Sequence, residues 1–171
     1  MTSQAALPTY ALRPVDREDP AVLAAVLEVY RQCEDFLAIG PQPHASPEMV
    51  LADLQLSQSL GSLFYGIYLP SGEMAGVVDY LPSGFEGNPQ HAFIELLMIA
   101  RPFRSLGLGR RVVADLEAEV HKVHGVTAMR LGCQVNNFDG MRFWKRCGYR
   151  IIRAPKLFPD QTVGCLMEKQ V

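Results

Sequence analysis

The sequence predicts one mixed α/β domain with seven strands and four helices, in the order β-α-α-β-β-β-α-β-α-β-β. Three observations carry this. Strand-like and helix-like apolar periods alternate from end to end, with no internal repeat and no linker long enough to separate domains. The 171 residues suit a single domain, read as 1–171, whose core needs neither disulfides nor a structural metal. The segment His91–Ala100 is apolar on both faces, as a strand in a sheet centre is.

Tyr10–Arg13 reads as a first strand closed by Pro14. The acidic cluster Asp16–Asp19 precedes Pro20, which suits a first helical turn because its missing N–H would have no partner there. Val22, Leu23, Val26, Leu27 and Tyr30 then recur at helical spacing, until Gly40, Pro41 and Pro43 break the pattern. Ser46 before Pro47 caps a second helix carrying Met49, Val50, Leu54 and Leu56. Leu63–Leu69 and Met74–Leu81 form a hairpin around Pro70–Glu73. After a polar loop over 82–90, strand His91–Ala100 places Phe93, Leu97 and Ile99 on one face and Ile94, Leu96 and Met98 on the other. A long helix with Val112, Val113, Leu116, Val120 and Val123 on one stripe ends at Gly125. Strand Ala128–Val135, a short helix Asp139–Cys147 and strands Tyr149–Arg153 and Val163–Lys169 complete the chain.

Composition removes several classes. The chain is 49% hydrophobic and 20% charged, which excludes a disordered protein. No apolar run reaches the roughly 20 residues of a membrane span. The stretch Met1–Tyr10 has no basic segment followed by an apolar core, so no signal peptide is expected. Cys33, Cys133, Cys147 and Cys165 are far apart, with no Cys-x-x-Cys pair and no His at ligand spacing. Neither a zinc site nor disulfides are expected, and a reduced, cytoplasmic setting is the default.

The net charge of −2 hides an asymmetry. Residues 1–100 carry 3 Lys/Arg and 12 Asp/Glu, whereas residues 101–156 carry 12 Lys/Arg and 4 Asp/Glu. The basic third presents a positive field suited to an anion. Its charges are spread over a loop, helices and strands with no nucleic-acid motif, so DNA and RNA are not expected partners.

Within that third, Arg104-Ser105-Leu106-Gly107-Leu108-Gly109-Arg110-Arg111 joins the doubly apolar strand to the long helix. Glycines there permit close backbone approach, and a helix start offers unpaired N–H donors to an anion. Arg110 and Arg111 sit where the helix dipole disfavours cations, a penalty a bound anion would remove. A Walker loop needs Gly-Lys-Ser/Thr, but Arg110 follows Gly109; a dinucleotide fingerprint needs a small residue where Val112 stands.

With these residues the chain resembles the GNAT superfamily of acetyl-CoA-dependent N-acetyltransferases. Arg104–Gly109 matches the family's Arg/Gln-x-x-Gly-x-Gly/Ala motif, and Leu97-Met98-Ile99 matches the end of the strand beside the pantetheine arm. Asn137, Phe143-Trp144 and Gly148-Tyr149 match the Asn, aromatic pair and Gly-aromatic near the second cofactor-side helix. The match covers 91–150; residues 10–90 agree only in the order of elements. The resemblance implies a mixed, mostly antiparallel sheet of six to seven strands flanked by about four helices, with a cofactor-binding core over 91–150. It also implies a bulge in the strand His91–Ala100 that splays the sheet. Acetyl-CoA would be the acyl donor, with no metal, and a small-molecule or protein amine the acceptor. The protein would be a monomer or homodimer with no membrane partner. Cofactor contacts would come from Leu97, Met98, Ile99, Arg104, Ser105, Leu106, Gly107, Leu108, Gly109, Arg110, Asn137, Phe143 and Trp144. A backbone N–H near Met98 or Ile99 would meet the oxygen that turns negative when the amine attacks directly.

Glu95 is the one carboxylate in the most apolar strand. It is either a general base for a substrate ammonium or the ion-pair partner of Arg130 on the next strand. Many relatives place a Tyr near the leaving thiolate where this chain has Trp144, whose indole N–H is no acid for it. Tyr149, Tyr80 or water would take that role, or none is needed. Asn137 also suits a helix N-cap, and Phe143 and Trp144, being adjacent, divide between core and cofactor side. Cys133 and Cys147 read as core, and His121 and His124 as structural. Glu34, Asp35, Asp79 and Glu86 would favour a cationic acceptor. The two functions that remain are an N-acetyltransferase and a non-catalytic acyl-CoA-binding module on the same fold.

Overall fold

A computed structural model describes residues 9–171; most of the stretch Met1–Tyr10, where no signal peptide is expected, lies outside them. Seven strands make one sheet: β1 (Ala11–Pro14), β2 (Leu63–Tyr68), β3 (Met74–Leu81), β4 (His91–Ile99), β5 (Ala128–Gln134), β6 (Arg150–Leu157) and β7 (Val163–Gln170). Their order is β1-β2-β3-β4-β5-β7-β6. Only β4 and β5 run parallel; every other pair is antiparallel. A parallel neighbour requires a crossover, which α4 (Leu108–His124) supplies across one face.

The helices begin and end where local chemistry dictates. Asp19 accepts hydrogen bonds from the N–H groups of Ala21 (2.8 Å) and Val22 (3.4 Å), and Pro20 opens α1 (Pro20–Arg31). Ser46 Oγ accepts from Met49 N–H at 3.1 Å to start α3 (Pro47–Leu60). Gly61 and Gly125, at φ 73° and 65°, close α3 and α4 in the left-handed conformation. Between α1 and Gly40 the chain makes a further four-residue turn, α2 (Glu34–Leu37), too short for hydrophobic periodicity to mark. Among the described residues no helix is long and apolar enough to cross a membrane.

Two apolar layers sandwich the sheet. On one face α4 and α5 (Phe138–Arg146) pack Val112, Val113, Leu116, Val120 and Trp144 against Ile67, Val78, Ile94, Met129, Leu131 and Met167. On the other, α1 and α3 pack Val26, Val29, Tyr30, Val50 and Leu54 against Phe64, Val77 and Met98. β6 runs four residues past the expected Arg153. It is an edge strand, mostly exposed and irregular in register, so it carries little apolar pattern to read.

The face assignment expected for β4 is wrong in a way that matters. Ala92 and Ile94 belong to the α4 layer, but so do Leu97 and Ile99, while Leu96, Met98 and Ala100 belong to the α1/α3 layer. The phase slips because β3 and β4 change register: Tyr80 stands opposite Ile94 and Asp79 opposite Leu96. Glu95 is the extra residue of a β-bulge, which strict alternation cannot anticipate.

β3 and β4 approach closely at Gly76, where an added Cβ would collide with the Met98 carbonyl oxygen, a backbone atom. Gly76→Ala is expected to destabilise the fold by roughly 1–3 kcal/mol, read as a lower urea midpoint at unchanged m-value.

Candidate active site

The bulge opens the sheet. β4 and β5 pair only from His91↔Ala128 to Ile94↔Leu131. Beyond that, β5 stays with β7 as far as Gln134↔Gly164, and β4 stays with β3 as far as Ile99↔Gly76. The two central strands part at Glu95. Ala100 N–H donates to Ala75 of β3 at 2.8 Å, and the Met98 carbonyl also abuts β3. By antiparallel alternation, the backbone groups of Leu97 and Ile99 point the other way, to the edge β5 has left. Of the two residues expected to offer an N–H there, the geometry therefore selects Ile99 over Met98.

The loop after β4 presents a run of unpartnered backbone N–H groups. Ser105 and Gly107 take left-handed conformations, at φ 63° and 84°, and Gly107 caps α4 without a side-chain hydrogen bond. The N–H groups of Ser105 through Arg110 have no hydrogen-bond partner among the described residues; the first helical N–H to find one is that of Arg111, on Gly107. Such turns gather donors at the positive end of a helix. Ser105, Leu106, Gly107 and Arg110 are exposed and Leu108 is buried. A Cβ on Gly109 would meet Ile99 at 3.3 Å and Phe143 at 3.4 Å. This glycine therefore serves the packing of α4 on β4 and α5.

The arginines are mostly committed. Arg104 donates from Nη1 and Nη2 to Asp35 (2.5 and 3.0 Å), from Nη2 to the Gln32 carbonyl (3.3 Å) and from Nε to the Ile99 carbonyl (2.8 Å). Its side chain ties the α1–α2 junction to the end of β4 and is not free for a phosphate. Arg111 is held by Asp115. Arg110 has no ion-pair partner among the described residues and stands exposed in the first turn of α4.

Around α5, Asn137 Oδ1 accepts from Gly140 N–H at 2.9 Å, the expected cap. Phe143 is half-buried beside Gly109, whereas Trp144 is 9% exposed within the core, edge-on to Phe143 and Tyr149. Tyr149 is 3% exposed. Burial and the nearby Glu117 carboxylate push its hydroxyl well above the ordinary tyrosine value. By register it precedes Arg150, opposite Glu168, and so stands level with the closed end of β4 and β5. The structure thus does not bring Tyr149 to the opening. Tyr80 is also buried, with its hydroxyl on Glu119 at 3.3 Å. Burial pushes the Cys133 thiol up to about 11.

Glu95 lies on the opposite face from α4. Ile94 and Leu97 both face α4, so the two residues between them share the other side. The expected pairing with Arg130 is absent: Arg130 bonds Glu168 at 2.8 Å and Glu86 at 3.3 Å. Glu95 is exposed, yet the protein packed around it, with Asp79 second, pushes its carboxyl up to about 7. Of the four other carboxylates expected to favour a cation, three are engaged elsewhere. Glu34 accepts from Ala45 N–H, Asp35 from Arg104, and Glu86 from Arg153 at 2.6 and 2.7 Å. Asp79 alone stands beside Glu95. Sequence reading missed Phe158, whose ring fills the space beside Gly132 of β5 and Gly164 of β7, on the stretch of β5 that β4 has left. The paired small residues were the available signal.

The family model for the acetyltransferase (GNAT) family matches residues 23–149. The chain belongs to that family. It is 27% identical over 128 residues to the uncharacterized N-acetyltransferase YesJ of Bacillus subtilis (strain 168), a match covering 70% of this chain and 67% of that protein. A crystal structure of an acetyltransferase from Thermus thermophilus superposes with a TM-score of 0.76 at 20% identity, covering 96% of this chain and 99% of that one. A structure of yncA from Salmonella typhimurium with its cofactor acetyl-CoA superposes with a TM-score of 0.65 at 20% identity, over 94% and 93% of the two chains.

The commitments of the arginines make a stability prediction. Arg104→Ala removes charged hydrogen bonds worth roughly 1–3 kcal/mol together and is expected to lower Tm by several degrees. Arg110→Ala is expected to stay within about 0.5 kcal/mol of wild type. Differential scanning calorimetry of both variants without ligand checks the contrast.

Proposed function

We propose that the protein transfers an acetyl group from acetyl-CoA to a primary amine, by direct attack and without an acyl-enzyme. One observation carries this reading: the sheet opens at Glu95, between an N–H cradle on one side and a carboxylate without a cationic partner on the other. The orphan donors of Ser105–Arg110 fit a pyrophosphate, with Arg110 as the free side-chain charge beside it. The backbone groups of Leu97 and the N–H of Ile99, left unpaired by the departure of β5, fit the amides of a pantetheine arm as an added strand would. Phe143 and the Asn137 side-chain amide, whose Oδ1 serves the cap, border the same helix. When bound, the donor supplies an acetyl thioester with an electrophilic carbonyl.

The chain's own residues supply the rest. Ile99 N–H donates to the carbonyl oxygen, fixed in place by the strand and needing no reorganisation. Glu95 takes a proton from the acceptor ammonium onto its carboxylate, leaving the neutral amine. A base that titrates near the working pH serves this best. The acceptor enters from the α1/α3 side, where Glu95, Asp79 and Phe158 stand. Trp144 and Tyr149 belong to the core that supports α5, and no dedicated acid is assigned to the thiolate.

Two experiments test the reading. Acetyl-CoA is expected to bind with micromolar affinity, about −8 kcal/mol, weakening as salt rises. Arg110→Ala should weaken CoA and flatten that salt dependence while leaving pantetheine binding unchanged. Calorimetry that finds no acetyl-CoA binding to the folded protein refutes the proposal.

For the chemical step, Glu95→Gln should retain acetyl-CoA affinity and lower kcat by roughly 10²–10⁴-fold, measured as thiol release over a panel of amines. Because the folded carboxyl titrates near 7, wild-type kcat should rise with pH through that value. The variant should lack the rise. An unaltered profile in Glu95→Gln removes it from the chemistry.

A further inference from the structure

The bulge brings a second carboxylate to Glu95. In a bulge two residues of one strand oppose one of its neighbour; here Glu95 and Leu96 oppose Asp79. All three lie on the α1/α3 face: Leu96 packs in that layer, Glu95 shares its side, and Asp79 alternates with Val78 and Tyr80 of the α4 layer. Asp79 is only 5% exposed, an expensive place for an anion without a cation. Its Oδ1 accepts from Ser57 Oγ of α3 at 2.7 Å. The other titratable groups acting on it or beside it are Asp53 of α3, Tyr30 of α1, whose hydroxyl bonds Asp53 at 2.7 Å, and Glu95 of β4. From β2 the buried Phe64 stands opposite it. None of Asp79, Asp53 and Glu95 has a salt-bridge partner among the described residues.

We propose that Asp79 is a positioning residue: held by Ser57, its carboxylate acts across the bulge on Glu95 so that Glu95 keeps the proton it takes from an ammonium acceptor. The role rests on the reading of Glu95 as general base. Asp79 touches no reacting atom. One proton passes from R–NH3⁺ to the Glu95 carboxylate, giving R–NH2 and a neutral carboxyl, while the proximity of the Asp79 charge disfavours its early return to solvent. Burial, with the Asp53 carboxylate adding to it, pushes Asp79 itself up to about 6. A carboxyl raised in the folded state loses stability as pH rises from its ordinary value near 4 through its folded value, so Asp79→Asn should flatten the fall of Tm between about pH 4 and pH 7.

The decisive measurement is a carbon-13 titration of the full-length protein carrying labelled glutamate carboxyls, with Glu95 assigned by its disappearance in Glu95→Gln. The wild-type midpoint is expected near 7. In Asp79→Asn it should fall by roughly one pH unit. Ser57→Ala, which weakens the hold on the Asp79 anion, should move it the same way but less. A Glu95 midpoint unmoved in Asp79→Asn overturns the proposal; if that variant does not fold, an unmoved midpoint in Ser57→Ala does so. Failure of the underlying reading is recognised separately. Absent acetyl-CoA binding, or full kcat in Glu95→Gln, removes the base role and with it the catalytic sense of the Asp79 coupling, whatever the titration gives.

Discussion

One extra residue in one strand organises this molecule. Had β4 kept strict register with β3, alternation from Ile94 would put Leu97 and Ile99 on the α1/α3 face with Glu95 and turn Leu96 and Met98 to α4. The bulge instead keeps Leu96 on the same side as Glu95, opposite Asp79, returns Leu97 and Ile99 to the α4 layer, and coincides with the point at which β4 leaves β5. Bulges bend the strand that carries them, so the pairing of Glu95 with Leu96 on one face, the cleft, the outward backbone groups of Leu97 and the outward N–H of Ile99 share one cause. β5 remains well formed beyond the parting because β7 pairs with it along its whole length.

The two sides of the cleft are held by different means. On the α4 side the cradle is backbone: Gly107 and Ser105 bend the chain, Gly109 lets α4 sit against Ile99 and Phe143, and the donors are peptide N–H groups. Side-chain charge is used for construction. Arg104 joins the α1–α2 junction to the carbonyl of Ile99, the residue whose N–H faces the opening, so it braces the site from behind. Across the sheet, Glu86 draws Arg130 and Arg153 together and fastens the β3–β4 loop to the far edge strand. Phe85 stacks on Phe93 beneath it, with ring centroids 4.1 Å apart.

Much of this was legible in the sequence. Cap residues Asp19, Ser46 and Asn137 and the stop at Gly125 act where their chemistry says they should, because capping is local. The order of strands and helices and the glycine loop were legible for the same reason. What was lost was non-local. Nothing adjacent in sequence says that Arg104 will meet Asp35, 69 positions away, or that Arg130 will choose Glu86 and Glu168 over Glu95. Periodicity misassigned the faces of β4 because a bulge changes the period by one residue and leaves composition unchanged. Tyr149 looked available as an acid on its type and position in the motif; its place at the closed end of the sheet follows from the pairing of β6 with β7.

The charge asymmetry of the chain thereby acquires a narrower meaning. Of the 12 cations in the basic third, Arg104, Arg111, Arg130, Arg142 and Arg153 are satisfied by carboxylates. Their fields are largely cancelled at short range. Arg110, exposed at the start of α4, keeps its charge unopposed by an ion pair among the described residues, in the first turn, where the dipole disfavours it. The acidic half behaves in the mirror sense. Glu34, Asp35 and Glu86 serve as partners to backbone or arginines, and among the described residues without a salt-bridge partner Glu95 and Asp79 meet at the bulge, with Asp53 behind Asp79. A cation is disfavoured on one side of the opening and a pair of anions on the other. An anionic donor and an ammonium acceptor would relieve both strains, each from its own face of the sheet.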